Sequence, residues 1–157
     1  MTPREFYNDV VIINLAEFES KYDDIRLCHN AVSAVDSLAA HIYFYLRSNQ
    51  PNLVSGISDD SGFRHHLANQ HSDFGLLRDV AKALKHVELT RHTPEVRTAN
   101  QIAVGRLGFG EARFGEGRFD SPAQIVVTTN SGDKRVMETV VRSSAVFLEA
   151  RMTAFGI

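Results

Sequence analysis

The sequence predicts a mainly α fold: a bundle of four or five helices with a small antiparallel β-hairpin near the C-terminal end. Three observations predict it. From Ile25 to Leu46, apolar residues recur at three- and four-residue steps, the period of a helix with one buried face. Leu77, Val80, Ala81, Leu84 and Val87 repeat that pattern on a second stretch. One run only, Gln124-Ile125-Val126-Val127-Thr128-Thr129, is β-branched and bounded by turn residues.

Thr2-Pro3 is a helix opening, since threonine caps and proline suits the first turn. Phe6, Val10, Ile13 and Phe18 then keep a helical rhythm to about residue 22. Asp23 or Asp24 caps the next helix, whose stripe is Ile25, Cys28, Val32, Val35, Leu38, Ala39, Ile42 and Leu46. The polar run 48–52, with Pro51, ends it. Residues 58–62 are turn chemistry and 63–70 a short helix; Ser72-Asp73 caps a further helix to about residue 87. Thr93-Pro94 breaks the pattern. Residues 101–104 suit a short strand, and Asn130-Ser131-Gly132-Asp133 turns the clearest strand back into a brief partner at 134–136. The hairpin therefore spans about 124–136, and a last helix runs over about 137–155.

The chain has 157 residues and no linker composition, so 1–157 reads as one domain around one core. At that size folding buries roughly 70% of the unfolded surface, enough to need no disulfide or metal staple. The single cysteine, Cys28, sits in the long helix and fits a buried thiol in a reducing compartment. Residues 1–9 lack the basic stretch and apolar run of a secretory signal, and no window offers the roughly 18 apolar residues of a membrane span. A cytoplasmic protein without membrane contact is expected. The formal charge of −2 gives no general case for binding nucleic acid, but the charge is uneven. Residues 1–28 hold six acidic and three basic side chains, whereas 78–118 hold eight basic and five acidic ones.

Five of the seven histidines lie between His65 and His92. The pair His65-His66 does not stand in the i, i+4 relation to His71 that a two-histidine metal helix needs. His29 and His41 are twelve residues apart on one helix and cannot share an ion. A metal-dependent bundle enzyme would have to gather His29, His41, His86 or His92 from different helices. Surface or structural histidines are the simpler reading, and no metal or cofactor is expected. The sequence holds no Gly-x-Ser-x-Gly nucleophile turn, and the glycines at 105, 108 and 110 precede no Gly-Lys-Ser/Thr phosphate loop.

Two arginine–histidine pairs stand out: Arg64 with His71, six residues between them, and Arg78 with His86, seven between. An imidazole and a cation beside a phosphodiester can cleave RNA without metal. The imidazole moves the proton of the 2′-hydroxyl, and the cation stabilises charge on the phosphorane. The simpler alternative makes Arg78, Asp79, Lys82 and His86 the solvated face of a helix with an Asp79–Lys82 pair, and sequence alone favours it. From Phe109 to Phe119 a five-residue repeat interleaves phenylalanine, glycine, glutamate and arginine. It could stack bases, but its glutamates cancel its arginines, so a loop that packs phenylalanines on the helices is favoured.

The segments 29–38 and 76–91 resemble a group of small bacterial proteins of unassigned activity that share an "IRDIANASKH"-like helix, a glycine-rich passage and a C-terminal strand, turn and helix. More broadly, the chain resembles the HEPN superfamily: compact helical bundles, often dimeric, many of them ribonucleases in toxin–antitoxin and phage-defence systems. Their motif is an arginine and a histidine with four to six residues between them. Arg64–His71 meets that spacing on a short helix; Arg78–His86 exceeds it by one on a stronger helix. A β-hairpin is not a defining feature of that superfamily. The resemblance implies an intracellular homodimer that binds or cleaves RNA as a metal-independent endoribonuclease. Arg78 and His86, then Arg64 and His71, would be catalytic, with Lys82, Lys85 and Arg91 on phosphates. The competing expectation is a non-catalytic module whose helical face and phenylalanine repeat meet a protein partner.

Overall fold

Thr2 and Glu5 start the first helix reciprocally. The Thr2 hydroxyl accepts from the Glu5 N–H, the Glu5 carboxylate accepts from the Thr2 N–H, and Pro3 fills the first turn. In the computed structural model, which describes residues 1–86, 94–108, 111 and 122–157, helix α1 (Pro3–Phe6) runs through a π-helical turn (Tyr7–Val11) into α2 (Ile12–Ser20). The wider turn shifts the helical phase of the residues beyond it. Tyr7, Val11 and Phe18 are buried, while Ile13, which the simple rhythm puts with them, is 52% exposed.

Asp24 caps α3 (Ile25–Asn49), its carboxylate accepting from the N–H groups of Arg26 and Leu27. This helix is the axis of the fold: Cys28, Val32, Val35, Leu38, Ala39, Ile42 and Leu46 are fully buried, and α2, α4, α5 and α6 all pack on it. Burial pushes the Cys28 thiol up to about 12, so it behaves as a core residue. After a 3₁₀ turn (Pro51–Val54), α4 (Asp60–Ala68) begins earlier than turn chemistry alone suggests, because Asp59 caps it through the Gly62 N–H. The next helix, α5, spans Ser72–His86.

A second 3₁₀ turn (Ala99–Gln101) leads into strand β1 (Ile102–Gly105), which pairs antiparallel with β2 (Gln124–Thr128). β2 in turn pairs antiparallel with β3 (Lys134–Val136), giving the order β1-β2-β3. The predicted hairpin is present, and the short strand expected at 101–104 forms as β1 and joins it as a third strand. Gly132, at φ +91°, supplies the left-handed residue of the turn. β3 passes directly into α6 (Met137–Ala154), which buries Val140, Val141, Leu148 and Met152. The two ends of the chain meet here. The Arg4 guanidinium donates to the Ile157 backbone oxygen at 2.9 Å and pairs with Glu149, to which the Tyr7 hydroxyl also donates. Among the described residues, no helix is long and apolar enough to cross a membrane.

Candidate functional site

α5 carries its basic residues at a spacing that the helix converts into a line. Arg78, Lys82 and His86 stand at i, i+4 and i+8, each step advancing about 6 Å along the axis. Lys85, seven residues from Arg78, lies beside them. Leu77, Val80 and Ala83 fill the opposite face and are buried in the core. The fold then adds charges from α3 and α4. Arg64 donates to Asp36 Oδ2 at 2.6 Å and also pairs with Asp60, one turn before it on α4. Arg78 donates to the Ser61 carbonyl at 3.1 Å and to its hydroxyl at 3.4 Å.

This face is only in part the solvated one that sequence alone favours. Arg78, Asp79 and Lys82 are half-buried; only Lys85 and His86, at the end of the helix, are exposed. Nor do Asp79 and Lys82 form an ion pair: Asp79 instead accepts from the Glu95 N–H at 2.8 Å and fastens the segment before β1 to α5. The Lys82 ammonium makes no hydrogen bond or ion pair with a described residue.

Burial raises the Asp36 carboxyl above its ordinary value, outweighing the attraction of Arg64. Its Oδ1 and the Nε of Arg64 are buried without hydrogen-bond partners. Burial likewise lowers Lys82, and the neighbouring Arg78 lowers it further. Arg78 is lowered by burial and by Arg64, against the pull of Asp36. Burial raises Asp79 in spite of its backbone hydrogen bond. Like charges are thus held close on a partly desolvated surface, an arrangement that recurs at functional sites.

The two arginine–histidine pairs separate. Arg64 and Arg78 belong to one cluster, but His71 lies elsewhere. It is the residue before α5, and its Nδ1 accepts from the Phe74 N–H at 3.3 Å, so His71 takes the capping place expected of Ser72 and Asp73. Its ring stacks on Phe147 of α6 with centroids 4.5 Å apart, and its Nε2 lies 3.4 Å from the Ser143 hydroxyl. With Nδ1 accepting, the ring proton sits on Nε2 and points at Ser143. A histidine in that tautomer cannot take a proton from the serine. Asp73 completes the group by pairing with Arg135 of β3 at 2.7 Å. Burial raises Asp73, but hydrogen bonds from Arg135 and Ser143 overcome this and leave it below its ordinary value.

The remaining histidines are scattered. His29, His65 and His66 are exposed, and His41 stacks on Phe6 with centroids 4.0 Å apart. Among the described residues, no three His, Cys, Asp or Glu side chains are grouped so as to hold a metal ion. Arg91, His92 and the phenylalanine repeat lie outside the described residues, apart from Glu111. Glu111 pairs with Lys134 at 2.8 Å and accepts from the Gly108 N–H. No family model, curated protein or solved structure matches the chain.

Proposed function

We propose that this chain is an HEPN-like cytoplasmic protein that binds and cleaves RNA without a metal, in a toxin or phage-defence setting, through the α5 face. One observation carries the reading: Arg78, Lys82 and His86 form a single stripe on α5, with Arg64 of α4 behind it. In this scheme Arg78 holds the scissile phosphodiester, Lys82 lies against it, and Lys85 and Arg91 reach flanking phosphates. His86, exposed one turn beyond Lys82, takes the proton of the 2′-hydroxyl as it attacks phosphorus. Asp36 and Asp60 touch no substrate; they orient Arg64 and limit the repulsion among the three cations. A second copy of the chain, as in many HEPN proteins, would put two such faces on one RNA.

The test is incubation of the purified protein with labelled RNA, with and without EDTA, beside Arg78→Ala, His86→Ala and His71→Asn. The expected result is cleavage that survives EDTA, is lost in the first two variants and persists in the third. Loss in His71→Asn alone would move the chemistry to the α5–α6 junction. Neither cleavage nor binding by folded protein would overturn the RNA reading in favour of a protein-binding module.

A further inference from the structure

We propose that Lys82 is a catalytic residue of this site, the acid that gives a proton to the departing 5′-oxygen; the role rests on the ribonuclease reading above. Transesterification of RNA needs two proton transfers, and the arginine–histidine pair supplies one. As O2′ bonds to phosphorus, His86 takes the 2′-hydroxyl proton. As the P–O5′ bond breaks, its electron pair leaves with O5′ and takes a proton from the Lys82 ammonium. The products are a 2′,3′-cyclic phosphate and a 5′-hydroxyl, and imidazolium and amine then exchange protons with water. No further reactant is required.

The other members of the cluster cannot fill this place. Arg64 is committed to Asp36 and Asp60. Arg78 is held by Ser61, and a guanidinium keeps its proton in proteins. Asp36 is engaged with Arg64 through Oδ2, and its Oδ1 is buried. Asp79 is tied to the Glu95 N–H. Lys82 stands between the anchored arginine and the exposed histidine, one helical turn from each, and its ammonium makes no hydrogen bond or ion pair with a described residue. Burial, then Arg78 and Arg64, lower its pKa against the pull of Asp79 and Asp36, which makes the ammonium a better acid at neutral pH.

A bridging sulfur tests this directly, because a thiolate leaves without a proton. The substrates are an RNA oligonucleotide that the wild type cuts and the same oligonucleotide with sulfur in place of O5′ at that linkage. The proteins are wild type, Lys82→Ala and Lys82→Arg, each checked for an unchanged melting transition. Lys82→Ala is expected to slow cleavage of ordinary RNA by about 10²–10⁴-fold and of the sulfur substrate by less than about tenfold. Lys82→Arg, which keeps the charge but not a transferable proton, is expected to be as slow as Lys82→Ala on ordinary RNA. Wild-type rates in Lys82→Arg, or equal losses on both substrates in Lys82→Ala, would overturn the acid role and leave the ribonuclease reading standing. A wild type that cuts no RNA would overturn both.

Discussion

A carboxylate buried beside a guanidinium helps the fold only while both partners stay, and Asp36 and Asp73 meet that condition differently. Asp73 titrates below its ordinary value, so its contribution is present above pH 3.8 and is lost as pH falls through the folded value. Burial raises Asp36 above its ordinary value, so folding strengthens its hold on a proton while the pair with Arg64 stays in place. The proton-linked part of its contribution is full below pH 3.8 and is lost as pH rises through the folded value, whereas the pairing with Arg64 persists. Urea unfolding midpoints followed from pH 6 to about pH 3 should therefore respond in opposite directions. Asp73→Asn flattens the loss of stability on acidification, and Asp36→Asn steepens it. At neutral pH, Asp36→Ala strips Arg64 of one partner and should cost about 1–3 kcal/mol. The same substitution beside Arg64→Ala should cost less than the two singles summed, since the pair is removed together. None of this was legible in the sequence. Asp60–Arg64 is a readable i, i+4 pair, but Asp36 is 28 residues from Arg64, and nothing local announces that they meet.

Helices were the most legible elements, because periodicity reports which residues share a face. α3 matches its apolar stripe except at its first position, where Ile25 is exposed, and Asp24 caps it as its chemistry suggests. Periodicity does not report what lies against the polar face, and so α5 read as solvated when α3, α4 and the 94–97 segment cover part of it. It also assumes a constant pitch, which the π-helical turn at Tyr7–Val11 violates, leaving Ile13 outside the core. The His71 cap escaped for a third reason: histidine is an uncommon capping residue, and Ser72-Asp73 offered an ordinary one beside it. His71→Ala is expected to lose about 1 kcal/mol for the cap, and His71→Asn to recover part of it, read from urea midpoints. Recovery stops short of wild type because asparagine cannot stack on Phe147.

As a whole molecule the protein depends on α3. Leu38, fully buried on that helix, should cost about 2–5 kcal/mol when replaced by alanine, measured by thermal or urea unfolding. The hairpin was legible from composition. The third strand was less so, because its pairing with β2 is long-range and its sequence, Ile102-Ala103-Val104-Gly105, is short and weakly patterned. Finally, Arg4 reaches the oxygen of Ile157, so the first and last turns of helix lie side by side. Chain order is thus separable from architecture. A linker of about six glycines and serines could join residue 157 to residue 1. New ends could open at Ser55–Gly56, which is exposed. Such a circular permutant should fold to the same bundle, with α1, α2 and α3 now last in the chain. It would carry the Arg78–Lys82–His86 stripe unchanged, near the front of the polypeptide and free to accept a fusion there.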